Sequence, residues 1–211
     1  LGIEIGDPQL PAVQKKLIKL ARSSDKVVIT ATQMLESMIA NPIATRAEVF
    51  DVANAVLDGT DAVMLSAETS VGKNPVEVVS QISNIISSVE YSDQIVVPEE
   101  PPTNKTVRYI TKFICFHAAK TANEINAAAI TTKTHSGYTG FQISSWRPHC
   151  NILVFTPNKR ILNRLSLLWG GNAFYYNHTY YLLLDQVLLM DLLRQKLQMT
   201  IQALTYRQPY P

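Results

Sequence analysis

Two short β-prone runs constrain this chain most: Val27-Val28-Ile29-Thr30-Ala31-Thr32 and Asp61-Ala62-Val63-Met64-Leu65-Ser66. Each is almost uninterrupted, the pattern of a strand covered on both faces. The segment between them predicts a helix. Thr45-Arg46-Ala47-Glu48 forms a capping box, Val49, Val52, Ala53, Val56 and Leu57 make an inner stripe, and Asp58-Gly59 ends it. Asp7-Pro8 starts an earlier helix, with Asp as N-cap, and its Lys15, Lys16, Lys19 and Arg22 form a solvated face. Asn74-Pro75-Val76-Glu77 starts a later helix, with Val78, Ile82, Ile85, Ile86 and Val89 inside. Helix, strand, helix, strand, helix implies a parallel sheet with right-handed crossovers. In such folds chemistry collects at the C-terminal ends of the strands. Here those ends are Thr32-Gln33-Met34 and Ser66-Ala67-Glu68-Thr69. The same hydroxyls would serve equally well as caps for the turns that follow.

The 211 residues suit one large domain or two small ones, and charge favours two. Residues 1–100 carry 7 Lys and Arg against 14 Asp and Glu, a net of −7. Residues 101–211 carry 12 against 3, a net of +9. The Pro-rich, polar stretch 96–104 between them reads as a linker. Beyond it, a helix is expected from Thr106 to Ile125, carrying Ile110, Phe113, Ile114, Ala118 and Ala122, with Cys115 a small buried apolar group. Strands follow at 127–132, 151–156 and 173–176, with helices near 136–147 and 157–169 and a last one from Leu182 to Leu197. This is a second parallel α/β unit.

Several classes are excluded or disfavoured. No apolar run reaches the roughly 18 residues of a membrane span. Two cysteines, Cys115 and Cys150, cannot build a disulfide framework, which fits a reducing, cytoplasmic setting. His135, His149 and Cys150 lack zinc-site spacing, and Gly72-Lys73 is not a P-loop. The basic second half carries no nucleic-acid-binding motif, so no nucleic-acid partner is expected. Residue 1 is not Met and is not expected to be the natural start.

Four ordered motifs then become specific: Ile29 to Met38; Pro42 with Thr45-Arg46-Ala47-Glu48; Asp51 to Gly59; and Met64-Leu65-Ser66-Ala67-Glu68-Thr69. In order and spacing they resemble pyruvate kinase of the bacterial type, most strongly over residues 1–90. The resemblance implies the C-terminal part of that enzyme. Residues 1–95 would be the last two strands and helices of a (β/α)8 barrel, 96–104 a linker, and 105–211 an incomplete parallel-sheet α/β C-terminal domain. The implied reaction moves a phosphoryl group from phosphoenolpyruvate to ADP, with Mg2+ and usually K+, in a homo-oligomer that is a tetramer in the family.

By the same resemblance, Thr32 matches a threonine that contacts the substrate, and Ser66 a serine that helps relay the proton to enolpyruvate. Arg46 matches an arginine at the subunit interface. Glu36 and Glu68 fall in matching motifs and are read as structural. Thr134, Ser136, Gly137 and Thr139 match the effector loop, with Tyr138 where the family often has Arg, and could hold an anion at a helix start. The family's barrel lysine and its Mg2+-binding Glu and Asp would precede residue 1, leaving no metal ligand in this chain. The chain alone is therefore expected to be inactive. The alternative is a non-catalytic remnant acting in assembly. Residues 198–211 do not resemble the family.

Overall fold

The two runs do pair. A computed structural model describes residues 2–92, 94, 95, 97, 99–103 and 107–176. In it β1 (Ile29–Thr30) and β2 (Ala62–Val63) are parallel, with Ile29 opposite Ala62 and Thr30 opposite Val63. The ladder is shorter than the six-residue runs suggested. Each strand has one neighbour among the described residues, and Ile29 and Met64 stay exposed.

The crossover between them is α3 (Arg46–Leu57). α5 (Pro75–Glu90) packs against it over a core of Met34, Leu35, Met38, Val52, Ala55, Val78, Ile82 and Ile85. The N-terminal helix differs from expectation. Asp7–Gln9 is a 3-10 turn without a side-chain cap, preceded by the short α1 (Gly2–Ile5), and the helix proper is α2 (Leu10–Ser23). A proline stands early in both the turn and α2, where a missing N–H costs nothing.

The capping box of α3 forms as the sequence predicts. Thr45 Oγ1 accepts from Glu48 N at 3.3 Å, and Thr45 N donates to Glu48 Oε2 at 2.8 Å. Glu48 also accepts from Ser37, by its backbone N–H at 2.7 Å and by its hydroxyl, which ties the loop after β1 to the helix start. Partial burial pushes the Glu48 carboxyl up, but the bonds from Ser37 and Thr45 outweigh it and hold it below the ordinary 4.5. A depressed pKa contributes stability that is present above the unfolded value and lost as pH falls through the folded one. Acid titration of the melting temperature should therefore fall more steeply below about pH 5 in the wild type than in Glu48→Gln. Superimposable acid limbs would refute the assignment.

The second half is a three-stranded parallel sheet in the order β3 (Ala129–Lys133), β4 (Asn151–Thr156), β5 (Gly171–Tyr175). Ala129 stands opposite Asn151, and Ile152 opposite Gly171. α6 (Tyr109–Glu124), α7 (Tyr138–Ser145) and α8 (Lys159–Leu165) surround a core of Cys115, Ile143, Ile152, Val154, Ile161, Leu165 and Leu168. Burial pushes the Cys115 thiol up to about 11, so it stays a neutral, small apolar group. α6 begins three residues later than expected. Cys115, Phe116, Ala119 and Ala122 are buried, while Ile110 and Ile114 are exposed. The expected helix 182–197 and the divergent tail 198–211 lie outside the described residues.

Residues Leu1–Tyr175 form one compact unit although they contain two sheets. A buried polar seam joins the parts. Arg147 donates to Asp61 Oδ1 at 2.6 Å and to Gly59 O at 2.8 Å, and its guanidinium lies over the Trp169 ring. Asp61 Oδ2 in turn accepts from Val28 N at 2.8 Å. Trp169 Nε1 donates to Glu90 Oε1 at 2.7 Å, and Lys112 pairs with Asp25.

Candidate functional site

The parallel pairing carries the ends of both strands to one side of the small sheet. Thr32 follows β1 by two residues and Ser66 follows β2 by three, and both are exposed there. Thr32 Oγ1 lies 3.8 Å from Met34 Sδ, a weak contact with a fully buried side chain that anchors the loop.

Ser66 opens α4 (Ala67–Ser70), a single turn. The Glu68 carboxylate is almost wholly buried and accepts from Ser66 N at 3.0 Å. Its other oxygen, Oε1, has no partner among the described residues. Ser66 O accepts from Thr69 Oγ1 at 3.1 Å. Glu68 and Thr69 thus fix the Ser66 backbone while leaving its hydroxyl on the surface. The turn closes tightly at Gly72, where a Cβ would come within 2.2 Å of Glu68 O. The structural reading of Glu68 fits this geometry. Glu36 lies exposed in the 3-10 turn Glu36–Ile39.

No group of three His, Cys, Asp or Glu side chains able to hold a metal occurs among the described residues. At the strand ends, Glu68 Oε1 is a single buried carboxylate oxygen without a partner among the described residues, too little for an octahedral Mg2+ site. These residues do not fit a resident Mg2+.

Arg46, the first residue of α3, is exposed, as are Ile43 and Phe50 beside it in sequence. The loop 134–139 lies in the second sheet's unit. Thr134 is buried and its Oγ1 accepts from Gly137 N at 3.1 Å. Gly137 sits at φ 81° as the N-cap of α7, a backbone region open to glycine. Ser136 Oγ accepts from Tyr138 N at 3.4 Å, and Thr139 is half-buried in the first turn. The Arg108 guanidinium lies 4.3 Å from the centre of the Tyr138 ring. Burial raises the Tyr138 phenol.

Comparison with known proteins matches both halves. The model described as "Pyruvate kinase, barrel domain" matches residues 1–79, and "Pyruvate kinase, alpha/beta domain" matches 112–204. The chain belongs to the pyruvate kinase family. The pyruvate kinase of Corynebacterium glutamicum is 45% identical over 174 residues, 82% of this chain and 36% of the relative. That of Buchnera aphidicola is 46% identical over 178 residues, 84% and 37% respectively. A crystal structure of a Cryptosporidium parvum pyruvate kinase superposes with a TM-score of 0.80 at 32% identity, over 93% of this chain and 40% of that one. A second structure of the Cryptosporidium parvum enzyme, in complex with ADP, gives 0.77. The chain thus spans 28% to 40% of the pyruvate kinases it matches. Its fold is part of a pyruvate kinase barrel followed by a parallel-sheet α/β unit. No helix among the described residues is long and apolar enough to cross a membrane.

Sequence reasoning missed two positions. Asp61 and Arg147 are buried and paired although 86 residues apart. A carboxylate opening an apolar strand was the signal for Asp61. Nothing local marked Arg147.

Proposed function

We propose that this chain supplies the proton-transfer side of a pyruvate kinase active site, in an enzyme that converts phosphoenolpyruvate and ADP to pyruvate and ATP. The observation that carries this reading is the placement of Thr32 and Ser66 at the same end of two adjacent, in-register parallel strands. Thr32 would meet the substrate, and Ser66 would pass a proton toward the enolate carbon. The Glu68 carboxylate fixes the Ser66 backbone, and Ser66 itself stays exposed. Family membership supports the assignment, and the ADP complex of the Cryptosporidium parvum enzyme supports ADP as acceptor. Mg2+ and K+ would be held by residues outside 1–211, and a cytoplasmic location fits a glycolytic enzyme of this kind.

Three structural assignments accompany it. The boundary between the barrel part and the C-terminal part is drawn at 96–104, supported by separate cores on either side. The exposed Ile43, Arg46 and Phe50 form a subunit-contact surface of a homo-oligomer. Thr134, Ser136, Gly137 and Thr139 form an anion-holding effector loop at the start of α7.

A coupled lactate dehydrogenase assay tests the reading. The chain alone should give no turnover with phosphoenolpyruvate and ADP. In a complete enzyme carrying this segment, Ser66→Ala should lower kcat by about 10²-fold or more, the usual contribution of a positioned proton-transfer group. Thr32→Ala should lower kcat/KM. An unchanged kcat in Ser66→Ala would refute the role given to that residue.

A further inference from the structure

The β1–β2 ladder is only two residue pairs long, which by itself does little to hold a register. A slip of one residue would turn every side chain to the other face. The groups that pin it gather at its N-terminal end. Asp61, one residue before β2, donates from its backbone N to Val28 O at 2.8 Å, and its Oδ2 accepts from Val28 N at 2.8 Å. One residue thus holds both backbone polar groups of the residue before β1. Beside it the buried Thr30 hydroxyl donates to the Thr60 hydroxyl at 3.0 Å, and Thr60 Oγ1 lies 3.0 Å from Val28 O and 2.9 Å from Ala62 O.

The second half of the chain grips this knot through Arg147. Its guanidinium bonds Asp61 Oδ1 and Gly59 O, and is fastened on its own side to Ser144 O at 3.1 Å. Two features of Arg147 exceed what stability asks. Its backbone stands at φ 45°, a left-handed conformation that a long side chain keeps only where the surroundings impose it. The charge pair is also buried, and an apolar pair of similar volume is often as stable or more so. Strain and a buried charge on one residue point to a demand for geometry.

We propose that Asp61 and Arg147 are positioning residues for the proton-transfer end of the site. The inference rests on the role given above to Ser66. Through this pair the second half sets β1 against β2, and with them the spacing of Thr32, two residues beyond β1, from Ser66, three residues beyond β2. Both residues act through the strands, from the end of the ladder away from Thr32 and Ser66. A misplacement of about 1 Å at a reacting group can lower a rate by about 10²-fold, so a loosened ladder would be felt in catalysis.

The double variant Arg147→Met, Asp61→Leu tests this in a complete enzyme carrying this segment, because it leaves neither charge stranded and so separates stability from positioning. Two rates are read well below its melting temperature: kcat with phosphoenolpyruvate and ADP, and the exchange of pyruvate C3 protons in deuterated water, followed by NMR. In the exchange a proton leaves C3 as the enolate forms and a deuteron is returned to it, so it reports proton transfer alone. Both rates should fall together by about tenfold or more, with KM for ADP unchanged. If the double variant does not fold, Arg147→Lys decides in its place, since it keeps the charge but loses the planar fork that reaches Asp61 and Gly59 O together, and it should slow both rates by the same factor. Wild-type rates in the deciding variant would show the pair to be structural only and overturn the proposal. A fall in kcat without slower exchange overturns it as well. Ser66→Ala with unchanged exchange is a separate failure, which removes the proton-transfer reading and this inference with it.

Discussion

Replacing Arg147 with Met should destabilise the chain by about 3–5 kcal/mol, as expected when one partner of a buried ion pair is removed. The side chains of Arg147 and Asp61 are 3% and 8% exposed, so water cannot solvate the carboxylate left behind. The guanidinium also donates to Ser144 O and Gly59 O, and both acceptors would lose a partner. Met preserves the length of the stem over Trp169, so the loss is mainly of charge and hydrogen bonds. The double variant Arg147→Met, Asp61→Leu should regain much of the stability, because neither charge is then stranded. Urea melts of the two single variants and the double one give the coupling directly. Additive losses would mean that the pair does not hold the seam.

Leu165→Ala should cost about 2–5 kcal/mol, the range for truncating a fully buried leucine. Leu165 is wholly buried at the end of α8, within the core of Ile143, Ile152, Val154 and Ile161. Its Cδ2 methyl packs closely against both glycines, 3.3 and 3.4 Å from where a Cβ on Gly137 or Gly140 would stand. The cavity would therefore open directly beneath the loop 134–139. The loss should appear as a lower urea midpoint and as faster amide exchange at Gly137 and Tyr138. Exchange confined to α8 would show that Leu165 does not support that loop.

The framework was legible in the sequence where interactions are local. Thr45 and Glu48 are three residues apart, and their capping box forms as read. The inner stripe of α5 holds at Val78, Ile82 and Ile85 for the same reason. Strand placement was legible, and at β4 so was length, 151–156 as read; β1 and β2 are shorter than their runs because ladder length depends on neighbours rather than on the run itself. α6 shows the other limit. Its apolar residues circle much of the helix, from Ile110 through Phe113, Ile114, Cys115 and Phe116 to Ala122, so periodicity could not choose which face meets the sheet. Thr32 and Ser66 were singled out as candidates by their place at strand ends and by the family resemblance, and their roles are proposals. The pairing of Asp61 with Arg147 depends on a chain crossing that no window of sequence contains.

The chain has two tryptophans. Trp169 binds Glu90 and lies under the Arg147 guanidinium, and Trp146 stands edge-on to Phe116 on the wall of a cavity that Gln142 also lines. Neither belongs to the core beneath α3 and α5. Intrinsic emission from this protein is thus an optical gauge of the seam and its neighbouring cavity, nearly blind to the packing around Thr32 and Ser66. A fluorescence melt would time the parting of the two halves, and circular dichroism would be needed to time the loss of the helices within them.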